Sequence, residues 1–178
     1  MGSIIKVNEY KDFNNNAIIT SDGAGAITLS SGMQTAVGNN TPAFLATPSA
    51  TQTIANTTFT KMTFDTEVLD TDSAYDASAS TFTVPSGKGG VYIFYCNMRM
   101  PLSDGEERTH MINVNGSNDL KTGTQFYPGN NAPFYSTATQ MLNLSAGDVC
   151  YQNVYVTSSG TRTTNISYTY FGAYKLNT

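Results

Sequence analysis

The sequence has few of the residues on which most catalytic sites depend. Its 178 residues include no tryptophan, two cysteines and one histidine, and only 12% are charged. The 13 acidic side chains outnumber the 9 basic ones, so the net charge is −4. Because a sequence-independent grip on nucleic acid needs a basic surface, we expect no nucleic-acid partner.

Long apolar runs are missing as well. A membrane-spanning helix needs about 18 consecutive apolar residues, and no segment reaches that length. Residues 1–6 lack the apolar core of a secretory signal, so the sequence predicts neither membrane insertion nor secretion. We therefore expect Cys96 and Cys150 to be reduced and packed in the interior rather than joined in a disulfide.

Helical periodicity is almost absent, whereas strand patterns recur at short intervals after residue 40. Aromatic and β-branched residues alternate with polar ones, and Gly, Asn, Asp and Pro separate the runs. The predicted strands cover residues 42–46, 59–69, 80–85, 90–100, 108–115, 135–144, 148–157 and 165–176. Eight short strands predict an all-β sandwich.

One predicted strand is apolar on both faces. Residues 91–96 read VYIFYC, so they do not alternate between apolar and polar side chains. A strand tolerates this pattern only when something covers its second face. In a domain of this size, a partner subunit is a natural cover.

Residues 1–40 differ from the rest and contain too few apolar side chains for a core. A candidate hairpin joins residues 17–20 to 26–29 through the turn sequence SDGAG. We interpret this segment as an anchoring arm that docks on its own domain, a neighbouring copy or another protein, and residues 41–178 as the main domain. The apolar residues assigned to anchoring are Ile5, Val7, Ile18, Ile19, Ile27 and Leu29.

Seven short motifs follow one another in the main domain. They are TPAFLA at 41–46, FDTE at 64–67, DTDSAYD at 70–76, FTVP at 82–85, GVYIF at 90–94, LSAGDV at 144–149 and FGAY at 171–174. In this order they resemble the C1q/TNF-like domain. The spacing departs from the family at 85–90, where four residues separate the proline from the glycine. The resemblance implies a jelly-roll sandwich assembled as a homotrimer.

Aromatic residues on these strands would then form the core and the contact between subunits. Tyrosine suits such a contact because its ring buries apolar area while its hydroxyl finds a partner. The residues assigned to the trimer interface are Tyr92, Phe94, Tyr151, Tyr155, Tyr168, Tyr170 and Tyr174.

The arm contains the segments SIIKVN at 3–8 and IITSDG at 18–23. With these segments it resembles the start of structural and tail-fibre proteins of marine bacteriophages. That resemblance implies a non-enzymatic protein of the virion surface, held to capsid or tail proteins by the arm. A capsid decoration protein is the favoured role, because neither a shaft nor a tail-binding domain is expected before the main domain, whereas the resemblance of the arm favours a fibre. The receptor-binding tip of a tail fibre and a free glycan-binding adhesion module are the alternatives.

Two groups of residues could carry chemistry. His110 could act as a base or metal ligand, or be an ordinary strand histidine, since no Cys or His is near it in sequence. The densest carboxylate group could bind calcium, or be a solvated strand end and turn that keeps an edge from mispairing. Its members are Asp65, Glu67, Asp70, Asp72 and Asp76. We expect no other cofactor and no enzymatic activity.

The stretch 116–134 is predicted to be an exposed loop at one end of the sandwich. It contains Phe126 and Tyr127, followed by Pro and Gly. Exposed loops on a rigid scaffold commonly carry binding residues. We therefore expect this loop to contact an external ligand such as a glycan of the host cell surface.

Overall fold

A computed structural model of the chain describes residues 8–30, 40–103, 105–117, 121–126 and 133–176, and only the backbone of residues 121–126 and 133–134. All regular structure in these ranges is β-strand, which confirms the predicted all-β class. No helix in this part of the chain could span a membrane. The chain divides into two units, one ending at Asn39 and one running from Asn40 to Leu176.

The first unit contains a three-stranded antiparallel sheet. Its strands, in spatial order, are β1 (Glu9–Lys11), β2 (Ala17–Ser21) and β3 (Ile27–Leu29). The β2–β3 hairpin was predicted, and Asp22 shapes its turn by accepting hydrogen bonds from the backbone N–H groups of Ala24 and Ala26 at 2.7 and 3.0 Å. Gly23 and Gly25 adopt positive φ angles there, as the turn requires.

One face of this small sheet is apolar. Tyr10 pairs with Ile19, and Ile19 pairs with Leu29, so the three side chains form a row across the strands. Ile27 is exposed on the same face. The arm residues Ile5 and Val7 lie outside the described residues.

The second unit is a sandwich of antiparallel strands. Its strands are β4 (Ala43–Thr47), β5 (Thr53–Ile54), β6 (Thr60–Lys61), β7 (Thr66–Asp70), β8 (Tyr75–Asp76), β9 (Thr81–Thr83), β10 (Gly90–Pro101), β11 (Glu107–Val114), β12 (Lys121–Phe126), β13 (Pro133–Leu144), β14 (Val149–Thr157), β15 (Arg162–Thr163) and β16 (Asn165–Lys175). One sheet has the order β13-β10-β16-β4-β7, and the other has the order β12-β11-β14-β9-β8 with β6 also paired to β14. This arrangement is the expected jelly roll, with a short β15–β5 pair beside it.

Two sequence predictions are wrong here. The stretch 59–69 is not one strand but splits into β6 and β7, because Met62 and Phe64 turn inward and the Phe64 N–H is held by the Ser80 hydroxyl at 2.9 Å. The stretch 116–134 is not one loop, because β12 lies within it and pairs with β11. Strand β12 reads KTGTQF, and its low apolar content left no alternation to detect.

Aromatic rings fill the space between the two sheets. Phe44 stacks on Tyr75 and Phe82 with ring centroids 4.7 and 4.9 Å apart, and Phe171 meets it edge-on at 5.1 Å. These rings are buried and belong to one continuous core. The strands are thereby fixed so that alternate side chains of the five-stranded sheet point away from the core.

Candidate functional site

Outward side chains in the part of the five-stranded sheet around Ile93 and Tyr95 form an apolar surface, which we call the outer face. Register pairing aligns Met141, Ile93 and Tyr174 in one row across three strands, and Tyr95, Gly172, Leu45 and Leu69 in the next row. Tyr170 continues the face along β16. The fully buried side chains of β10 alternate with these residues and point into the core.

Three tyrosines form a cluster in the middle of the outer face. The ring of Tyr95 lies 6.2 Å from that of Tyr170 and 6.4 Å from that of Tyr174. Burial, together with the two neighbouring phenols, raises the pKa of Tyr95. Tyr95 is therefore uncharged at neutral pH, and the cluster presents rings and hydroxyl groups.

Glycine allows this cluster to lie flat on the sheet. The end of the Tyr95 side chain covers Gly172, where an added Cβ would stand 2.6 Å from both Cζ and Oη of Tyr95. The same Cβ would be 2.7 Å from the carbonyl oxygen of Phe44 on the adjacent strand. An aromatic ring that shields a strand glycine in this way compensates for the missing side chain.

Nothing among the described residues covers the edges of the outer face. Met141 is 62% exposed and Leu69 is 48% exposed, although both are large and apolar. A contiguous apolar surface of this kind on a folded chain is typical of a protein contact site. The expectation that the second face of residues 91–96 needs a cover agrees with this geometry.

The residues predicted for the trimer interface do not share one face. Tyr92 and Phe94 are fully buried inside a single chain, so assigning them to the interface was wrong. Their side chains point inward because alternation in β10 places Ile93 and Tyr95 outward instead. Sequence alternation alone did not distinguish the two sides of this strand, since both are apolar.

Tyr151 and Tyr155 lie on the opposite sheet. They point outward from β14, where Lys61 lies 4.5 Å from the centre of the Tyr151 ring and Phe59 packs against Tyr155 at 5.0 Å. A contact surface made by the outer face cannot include them. Of the predicted interface residues, Tyr170 and Tyr174 lie on the outer face. Tyr168 lies nearer the start of β16, beyond the rows that form this face.

The predicted calcium ligands are not brought together. Asp65 accepts hydrogen bonds from the N–H and hydroxyl of Ser49 at 2.7 and 2.6 Å, and these bonds lower its pKa. Asp76 is used locally in the same way, by the hydroxyl and N–H of Ser78. Glu67 lies on the exposed strand β7.

The other two carboxylates also have separate partners. Asp70 accepts hydrogen bonds from the N–H groups of Asp72 and Tyr75 at 3.2 and 2.8 Å, which shapes its own turn. Asp72 forms an ion pair with Lys88 at 3.5 Å. The described residues contain no group of three or more His, Cys, Asp or Glu side chains placed to hold a metal ion, so these carboxylates do not assemble the expected site.

His110 is enclosed in the core. Only 1% of its surface is exposed, and its ring lies between the hydroxyl of Ser136 at Nε2 and the amide nitrogen of Gln152, 2.8 Å from Nδ1. Burial, with the nearby Arg108 guanidinium, lowers the pKa of His110 to about 3. The imidazole is neutral and has no surface toward an external substrate.

Both cysteines are free and buried, as expected. Cys96 Sγ lies 3.7 Å from His110 Nδ1, and burial raises the pKa of Cys96 to about 12. The predicted ligand residue Phe126 ends strand β12, and its side chain lies outside the described residues, as does the whole of Tyr127.

Three residues in the two rows of the outer face were not among the predicted interface residues: Ile93, Tyr95 and Met141. The signal was present in the apolar character of both sides of β10. What the sequence did not show was the register that aligns Ile93 with Met141 and Tyr174.

The two-sheet antiparallel sandwich with an apolar outer face defines a protein of the jelly-roll class. The C1q domain family matches residues 43–176 of the sequence, and the chain belongs to this family. Its fold is similar to the globular domain of zebrafish complement 1qA protein, with a TM-score of 0.58, 15% identity, and coverage of 76% of this chain and 98% of that one. Murine APRIL is also similar, with a TM-score of 0.55, 14% identity, and coverage of 75% and 98%. Among curated proteins, none matches this chain in sequence.

Proposed function

We propose that the chain works as a homotrimeric binding and structural module without enzymatic activity, in which subunits contact one another through the outer face. The uncovered apolar surface around Tyr95 and Met141 carries this proposal. Domains of the C1q/TNF fold typically form trimers, which favours three subunits over two. The absence of catalysis is supported by the character of the family and by the burial of His110.

The chemistry of the outer face suits a permanent contact. Its tyrosines bury apolar rings and can satisfy their hydroxyl groups across an interface. The rows through Ile93 and Tyr95 contain no charged side chain, so assembly would desolvate no ion there. Burial of this surface is the main free-energy gain expected on association.

Paired variants test the contact surface. Met141→Asp places a charge where a partner would sit, and we expect light scattering to report the mass of one chain for this variant. Phe59→Asp, also at an exposed apolar residue but one that packs against Tyr155 of the opposite sheet, is the matched control and should keep the trimer mass. A trimer in Met141→Asp, or dissociation by Phe59→Asp alone, would contradict the assignment of the outer face.

A finer proposal is that the trimer belongs to a phage virion surface, as a capsid decoration protein held by its arm. Its support is the arm's resemblance and the separate apolar-faced sheet of residues 9–29 that precedes the C1q domain in sequence. Quantitative mass spectrometry of purified particles tests it. Near-equal abundance with the major capsid protein is expected, a few trimers per particle would indicate a tail-fibre tip, and absence would leave a free adhesion module.

A further inference from the structure

Strand β16 carries an unusual bulge near its start. Asn97 of β10 pairs with Tyr170, but Arg99 pairs with Asn165, so residues 166–169 stand opposite the single residue 98. Tyr168 has a φ of 64°, a conformation that bulky side chains rarely adopt. The Asn97 amide holds it there by donating to the Tyr168 carbonyl oxygen at 2.5 Å.

An aromatic surface is exposed at the bulge. Tyr168 is 67% exposed and meets the 47% exposed ring of Tyr135 at nearly a right angle, with centroids 5.5 Å apart and planes inclined by 82°. The Arg99 guanidinium lies over the Tyr135 ring, 5.7 Å from its centre. We call these three residues the Tyr–Arg corner.

Arg99 retains unused hydrogen-bonding capacity. Its Nε is buried and donates to no acceptor among the described residues. No carboxylate of the described chain forms an ion pair with it, although acidic residues exceed basic ones in the sequence. The Arg99 side chain as a whole is only partly buried, so its terminal nitrogens can receive a carboxylate from outside the chain. Those two nitrogens can hold a carboxylate with two parallel hydrogen bonds.

Two described side chains beside the corner are polar and uncharged. Thr137 and Ser167 are exposed beside Tyr135 and Tyr168. Two ring faces, several hydroxyl groups and one cation match a sugar ring, which has apolar C–H faces, hydroxyl edges and, in acidic saccharides, one carboxylate. An acidic peptide would satisfy Arg99 but would leave the two tyrosine faces without a matching surface.

We propose that the Tyr–Arg corner is a binding site for an acidic saccharide, an inference that rests on the proposed role of the chain as a binding module. Backbone strain held by a dedicated hydrogen bond to display an exposed side chain is typical of functional sites. Arg99 lies six residues beyond Ile93 on β10, or roughly 20 Å along the strand. The corner is therefore at the end of the sheet away from Tyr174.

The test uses the full chain on an array of uronic-acid and sialic-acid oligosaccharides, each beside its carboxyl methyl ester. We expect binding of at least one acidic saccharide and at least tenfold weaker binding of its ester. Arg99→Met and Tyr168→Ala should each weaken binding at least tenfold while keeping the solution mass, and Phe59→Ala is the control that should bind normally.

Several results would overturn the site. They are no binding to any acidic saccharide, equal binding to acid and ester, preference for an acidic peptide, or loss of the trimer together with binding in the corner variants. The chain could also prove monomeric and still bind an acidic saccharide through Arg99. That result would support the binding site and contradict only the proposed trimer.

Discussion

Adding a single methyl group at Gly172 is expected to disturb both the sandwich and the tyrosine cluster on its outer face. In Gly172→Ala the new Cβ would lie 2.6 Å from Tyr95 Cζ and Oη and 2.7 Å from the Phe44 carbonyl oxygen. The Tyr95 ring can rotate away, but the Phe44 oxygen belongs to a neighbouring backbone. Strands β4 and β16 must therefore separate by several tenths of an ångström.

Overpacking of this kind typically destabilises a protein by about 1–3 kcal/mol. For a chain of this length, each kcal/mol lowers the melting temperature by about 2–4 °C. Chemical denaturation and calorimetry measure these changes, and light scattering should show weaker trimers because Tyr95 leaves its place beside Tyr170. Gly160→Ala is the matched control, because open space surrounds that glycine. Equal stability of the two variants would refute the reasoning.

Two further predictions concern buried polar groups. Glu106 is buried and accepts hydrogen bonds from Arg162 Nε at 2.8 Å and from two backbone N–H groups. Glu106→Ala should therefore lower the free energy of unfolding by roughly 3 kcal/mol, measured by urea denaturation. Arg162→Lys, which keeps a cation beside Glu106, is the comparison variant. An unchanged midpoint would show that the pair contributes little. His110 has its pKa lowered from 6.5 to about 3 by burial and by Arg108, so below pH 6.5 the unfolded chain binds a proton that the folded chain does not. Stability should therefore fall by roughly 1.6 kcal/mol between pH 6.5 and 5, an interval in which few carboxylates titrate. A His110→Gln variant should lose this pH dependence. A wild-type stability that is constant over the interval would contradict the burial of a neutral imidazole.

Local sequence patterns were sufficient to predict much of the fold. Alternation in β16 and turn residues such as Asn115-Gly116 located most strands of the sandwich, because side-chain period and turn chemistry are local properties. Strand β12 was not predicted, because its short polar sequence has no strand pattern of its own. It forms a strand because it pairs with β11. Pairing across the sheet is a long-range property that one sequence does not display.

In the candidate site, too, local features could be predicted from the sequence and long-range ones could not. The need to cover the second side of β10 was readable from residues 91–96, but the partners of Tyr95 on that side depend on sheet order and register. The acidic residues from Asp65 to Asp76 looked like a cluster in sequence. In the fold each is drawn into its own turn or strand, because hydrogen bonds to nearby N–H and hydroxyl groups satisfy them locally.

If the outer face of the five-stranded sheet joins three copies of the chain, the unmodified protein is a trimer in solution. Light scattering at micromolar concentration measures its absolute mass. We expect three times the 19.1 kDa chain mass. A mass of 19.1 kDa would contradict it, because the apolar surface around Tyr95 and Met141 would then remain in contact with water.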